Sequence, residues 1–94
     1  MMNRNIEEVI TNLQSNYEPL DTFSFSDLSN LTRVEQAALR KAWPTILLDR
    51  RRALIALMSE KADEDVQLDF SAVYIIGLED TDAQVRHLSI EALW

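Results

Sequence analysis

Apolar and polar positions alternate with helical spacing over most of this 94-residue chain. Ile6, Val9, Ile10 and Leu13 recur at intervals of three and one, which predicts a first helix over about 5–15. Four further segments have a helical pattern, and we predict helices over 33–43, 48–61, 70–78 and 83–94. One glycine and two prolines leave few β-turn signals, so the predicted fold class is all-α with about five helices.

Local residue signals place the ends of the second helix. Thr32 and Glu35 have the S/T-x-x-E spacing of a capping box, so the helix should begin directly after Thr32. It should end at Trp43-Pro44 because proline cannot continue a helix, and Trp43 is predicted to anchor the core there. Two aspartates are predicted to cap the fourth and fifth helices: Asp69 and Asp82.

A loop rich in Asp, Ser and Thr connects the first two helices over about 20–31. Tyr17-Glu18-Pro19 should end the first helix, because a residue before proline is pushed out of the helical region. Three apolar residues of the loop are expected to pack onto the helices: Phe23, Phe25 and Leu28.

Charge is unevenly distributed along the chain. Sixteen acidic and nine basic residues give a net charge of -7, which argues against nucleic-acid binding because phosphate contacts supply most of that affinity. Residues 1–31 hold one basic and five acidic side chains, 32–61 seven and three, and 62–94 one and eight, for net charges of -4, +4 and -7. The basic middle predicts either ion pairs within the chain or a binding patch.

Three consecutive arginines, Arg50, Arg51 and Arg52, open the third helix. Cations oppose the positive end of a helix dipole, so these side chains need partners. The candidate partners are Asp49 and the acidic segment Asp63-Glu64-Asp65. The alternative is a basic patch facing an acidic ligand.

Residues suited to catalysis or metal binding are sparse. The absence of cysteine excludes disulfides, thiolate metal sites and cysteine nucleophiles. The single histidine, His87, is expected on a solvated face of the fifth helix. The acidic groups over 63–69 and 79–82 lack the Asp/Asn-Gly spacing of a calcium loop, and helix capping and solvation account for them. We therefore predict no catalytic residue, no metal site and no cofactor.

The location of the protein is predicted from the same pattern. No apolar run approaches the roughly 20 residues that a membrane span requires. The first residues show neither the apolar stretch nor the cleavage site of a secretory signal. A cytoplasmic protein that does not associate with membranes is expected.

The segment 78–93 carries a repeat motif. Its residues stand at the spacing L-x-D-x-D-x-x-V-R-x-x-A-x-x-A-L, with Ser89 in the usual alanine position: Leu78, Asp80, Asp82, Val85, Arg86, Ala92 and Leu93. This pattern resembles the HEAT-repeat signature, and the chain from Leu31 to Trp94 resembles the N-terminal capping part of bacterial HEAT-repeat proteins.

The resemblance implies an α-α superhelix of the HEAT/armadillo type. Its parts would be an N-terminal helix with a packed loop (1–31), a degenerate helical hairpin (31–65) and a HEAT-like repeat (66–94). These parts would form one structural unit, a fragment of a longer solenoid. In HEAT families the turn aspartates and the Val-Arg pair make contacts between neighbouring repeats, so stacking is expected at Asp80, Asp82, Val85 and Arg86. The resemblance implies that Arg86 pairs with Asp80 or with an acidic group of an adjacent repeat.

The fifth helix carries two apolar stripes. One stripe should face the fourth helix, whereas the second, Ile90, Leu93 and Trp94, needs another partner. This predicts an interface with a protein partner, with further repeats of the same chain, or with a second copy through the C-terminal helix. The expected function is a non-catalytic scaffold for protein-protein interaction. The alternative is a regulatory or accessory subunit related to phycobilin lyases, which also contain HEAT-like repeats.

Overall fold

A computed structural model describes residues 5–16, 19–20 and 25–94. Tyr17, Glu18 and Phe23, which the sequence analysis singled out, lie outside the described residues. The described part contains α-helices, 3-10 helices and no strand, which confirms the all-α class. The α-helices are α1 (Ile6–Gln14), α2 (Arg33–Ala42), α3 (Leu48–Glu64), α4 (Ser71–Leu78) and α5 (Ala83–Leu93), and the 3-10 helices are Phe25–Leu28 and Trp43–Thr45.

The predicted caps of α2 and α5 are confirmed. The Thr32 hydroxyl accepts a hydrogen bond from the Glu35 backbone N–H at 3.2 Å, and the Glu35 carboxylate accepts one from the Thr32 N–H at 2.8 Å. Asp82 accepts a hydrogen bond from the Val85 N–H at 3.0 Å. Each cap satisfies backbone donors that have no partner inside the helix.

Five of the ten predicted helix bounds differ from the structure by one residue, and the end of α3 differs by three. α3 continues past Lys61 to Glu64, since neither proline nor glycine interrupts those residues. α4 begins at Ser71, one residue later than predicted, and Asp69 accepts a hydrogen bond from the Ser71 N–H at 3.0 Å. The N-cap position of α4 is therefore Phe70 and not Asp69 as predicted. Asp69, one residue earlier, still satisfies the backbone N–H of Ser71 in the first turn.

Four of the helices form two consecutive pairs, α2–α3 and α4–α5, with the N-terminal helix beside them. α4 lies along α5 as a hairpin, α3 also packs on α5, and α2 contacts both α1 and α4, whereas α2 and α3 contact each other little. The core between them is apolar, and its fully buried members include Leu39, Ile46, Leu54, Ile55, Met58, Phe70, Val73 and Val85. No helix in the described ranges combines the length and apolar character needed to cross a bilayer.

The described part of the first interhelical loop packs onto the core, as predicted for two of its residues. Phe25 and Leu28 are both buried, and the Phe25 ring meets the Phe70 ring edge-on at a centroid distance of 6.5 Å. Asn30 has a positive φ of 54° and donates its N–H to the Asp69 carbonyl at 2.9 Å. These contacts attach the loop to the start of α4.

A close approach between α4 and α5 depends on two small residues. A Cβ added to Gly77 would lie 2.1 Å from the Ser89 hydroxyl oxygen and 3.2 Å from the Ser89 Cβ. Ser89 is fully buried, and its hydroxyl donates to the Val85 carbonyl at 2.8 Å. Glycine is therefore required by the contact between the two helices.

We expect Gly77→Ala to lower the free energy of unfolding by about 1 kcal/mol, although alanine is the better helix former, because Ser89 must rotate away from Val85. In a Ser89→Ala background the hydroxyl is gone, and Gly77→Ala should cost little. Urea unfolding of the four proteins measures this coupling. An equal cost in both backgrounds would contradict the steric explanation.

Candidate functional site

The turn between α4 and α5 places a buried carboxylate against the end of α2 and the start of α3. Asp80 accepts hydrogen bonds from the Trp43 indole N–H at 2.7 Å and from the Arg51 Nε and Nη2 at 2.7 and 3.3 Å. The backbone N–H of Asp82 adds a fourth bond at 2.8 Å. The Asp80 side chain is 2% exposed and that of Arg51 12%. We call this set, Trp43, Arg51 and Asp80, the Asp80 junction.

The Asp80 carboxylate remains charged in spite of its burial. Burial alone raises the pKa of this carboxyl. The hydrogen bonds from Asp82, Trp43 and Arg51, together with the positive charge of Arg51, outweigh that effect and bring the pKa below its ordinary value. The junction is therefore a buried ion pair whose acceptor oxygens are well supplied with donors, as such pairs require.

A second ion pair lies beside the junction. Arg52 donates from Nε and Nη2 to the two oxygens of Asp82, at 3.0 and 2.8 Å, in a bidentate arrangement. The hydrogen bond from Arg52 lowers the pKa of Asp82 to about 2, and the Val85 N–H acts in the same direction. Asp82 thus caps α5 and binds α3 with the same carboxylate.

The first arginine of the run binds a different element. Arg50 donates to the backbone carbonyls of Asn12 and Leu13, both at 2.8 Å. These carbonyls belong to the last turn of α1, where the helix dipole is negative and a cation is favourable. Arg50 therefore joins α3 to α1.

The structure corrects the predicted partners of Arg51 and Arg52. Asp63 follows Arg52 by eleven residues on the same helix, on the order of 16 Å along its axis. Asp49 attracts Arg52 electrostatically, but no hydrogen bond joins the two side chains in the described structure. The hydrogen-bonded partners lie instead on the α4–α5 turn, and intramolecular pairing between the basic middle and the acidic end is confirmed. The ligand-facing patch at 50–52 stays a prediction, and any ligand there competes with these bonds.

Arg86 contacts Asp80, but at its backbone. Its Nη1 donates to the Asp80 carbonyl oxygen at 2.8 Å, whereas the Asp80 carboxylate is bound by Arg51 and Trp43. An ion pair between the Arg86 and Asp80 side chains, which the resemblance implied, is not present. Val85 is fully buried and its N–H is bonded to Asp82.

The outer edge of α5 is exposed, as its second apolar stripe suggested. Ile90 is 48% exposed, Leu93 41% and Trp94 98%. With Leu78 they line an open apolar groove of about 420 Å³. A second recess of about 140 Å³, beside the Asp80 junction, is smaller than the roughly 300 Å³ at which ligand pockets begin. The groove on α5 is therefore the larger candidate binding surface.

The remaining titratable residues are dispersed. His87 is exposed on α5 and pairs with Glu91 one turn later. Burial raises the pKa of Tyr74 to about 12, and its hydroxyl has no hydrogen-bond partner in the described structure. Within the described residues no three histidine, aspartate or glutamate side chains gather in a way that could hold a metal ion.

Removing the buried carboxylate should destabilise the fold strongly. Asp80→Ala leaves the Arg51 guanidinium and the Trp43 N–H buried without their acceptor, so we expect a loss of about 3 kcal/mol in the free energy of unfolding. Glu79→Ala is the matched control, because its pair with Arg40 is exposed and should be worth less than about 1 kcal/mol. Chemical denaturation measures both variants. Similar losses in the two would contradict the assignment.

The Asp82–Arg52 pair should show itself in the pH dependence of stability. A lowered carboxyl pKa stabilises the fold fully above the unfolded value of about 3.9, and this contribution disappears as the pH falls towards about 2. Asp82→Asn keeps a helix cap but removes the charge, so its deficit relative to the unsubstituted chain should be constant from about pH 7 to 5 and should shrink below about pH 4.

Urea titrations at several pH values measure this deficit. In an Arg52→Gln background, which removes the partner, the deficit should depend much less on pH. A deficit of the same size at the lowest pH as at pH 7 would refute the role of this pair.

The site was also compared with known proteins. Neither protein-family models, nor curated proteins, nor solved structures give a match to this chain. Two features of the molecule bear on its function: the aspartate turn that binds α3 and the open apolar groove on the outer edge of α5.

Proposed function

We propose that this chain is a non-catalytic helical-repeat module of the HEAT type, which binds another protein through the outer edge of α5. The observation that carries the proposal is the way two consecutive pairs of helices contact each other. The first helix of one pair contacts the first helix of the next, α2 on α4, and the second contacts the second, α3 on α5. This is the contact pattern of stacked repeats in a solenoid.

The polar contacts support the same arrangement. Arg51 and Arg52 of one helix pair bind Asp80 and Asp82 in the turn of the next, so the aspartates of the repeat motif act between helix pairs. Such bonds fix the register of one helix pair on another, because each bidentate pair tolerates little sliding. Of the residues singled out for stacking, the two aspartates thus have a physical basis for that role, whereas Arg86 bonds to the carbonyl of Asp80.

The proposed binding surface is the uncovered outer edge of α5. A repeat buries its apolar faces against its neighbours, and the groove of Leu78, Ile90, Leu93 and Trp94 lacks such cover in the described structure. Tryptophan is enriched among the energetic centres of protein interfaces, and Trp94 lies beside the aliphatic side chains of this groove. A protein partner would gain by burying this apolar surface.

Site-specific photocrosslinking in the cells that naturally produce the protein tests the proposal. A photoreactive amino acid in place of Ile90, on the groove, should give a discrete crosslinked protein that mass spectrometry identifies. The same substitution at Val66 is the matched control, because Val66 is 94% exposed but distant from the groove in sequence. It should not give this crosslinked protein.

Trp94→Ser, combined with the photoreactive amino acid at position 90, should weaken the crosslink, because it removes the largest apolar side chain of the groove. An absence of adducts at position 90, or identical adducts at 90 and 66, would count against the proposed function.

A further inference from the structure

We draw no further inference here: the strongest candidate, the acidic cluster of Asp63, Glu64, Asp65 and Asp69 between the end of α3 and the start of α4, carries none, because the unpartnered Tyr74 hydroxyl is buried out of reach of a ligand and, in the described part of the chain, is linked to the cluster only through the electrostatic effect, smaller than that of burial, of Asp63 and Asp69 on the pKa of Tyr74.

Discussion

The hydrogen-bonded carboxylate of Asp80 is the interaction on which the arrangement of the two helix pairs, α2–α3 and α4–α5, depends. It joins the end of α2, the start of α3 and the α4–α5 turn through bonds from Trp43, Arg51 and its own turn. A charge with 2% of its side chain exposed is tolerated because four donors replace the water it has lost. Any relative displacement of the helix pairs would break several of these bonds together, so the junction selects one packing.

The run of arginines at the start of α3 follows from the same constraint. Three cations at the positive end of a helix are unfavourable in isolation. Here Arg50 meets the carbonyl end of α1, whereas Arg51 and Arg52 meet two aspartates. The segment is therefore the point where α3 binds both the N-terminal helix and the α4–α5 turn, and three arginines of the basic middle segment pair with carboxylates of the acidic end, among them Arg51 and Arg52.

The helices α3 and α5 differ in what covers them. On α3 an arginine and its apolar neighbours are buried under the α4–α5 pair, whereas the matching residues on α5 form an open edge. Arg86 donates to the Asp80 carbonyl, whereas Arg51 binds the Asp80 carboxylate. Cover by the next pair of helices thus accounts for the difference between the two helices.

The sequence by itself determined the features that depend on neighbouring residues. Helix spacing, the Thr32 capping box and the Asp82 cap all involve residues at most four positions apart, so composition and spacing suffice to predict them. The exposed stripe of Ile90 and Leu93 also followed from helical periodicity. The tertiary structure alone decided that Arg51 binds Asp80 across 29 residues, and that Arg86 binds a carbonyl instead of that carboxylate. Those bonds depend on how the helices stack. From the sequence alone several acidic residues were equally plausible partners of Arg51, and only the packing of the α4–α5 turn against α3 selected Asp80.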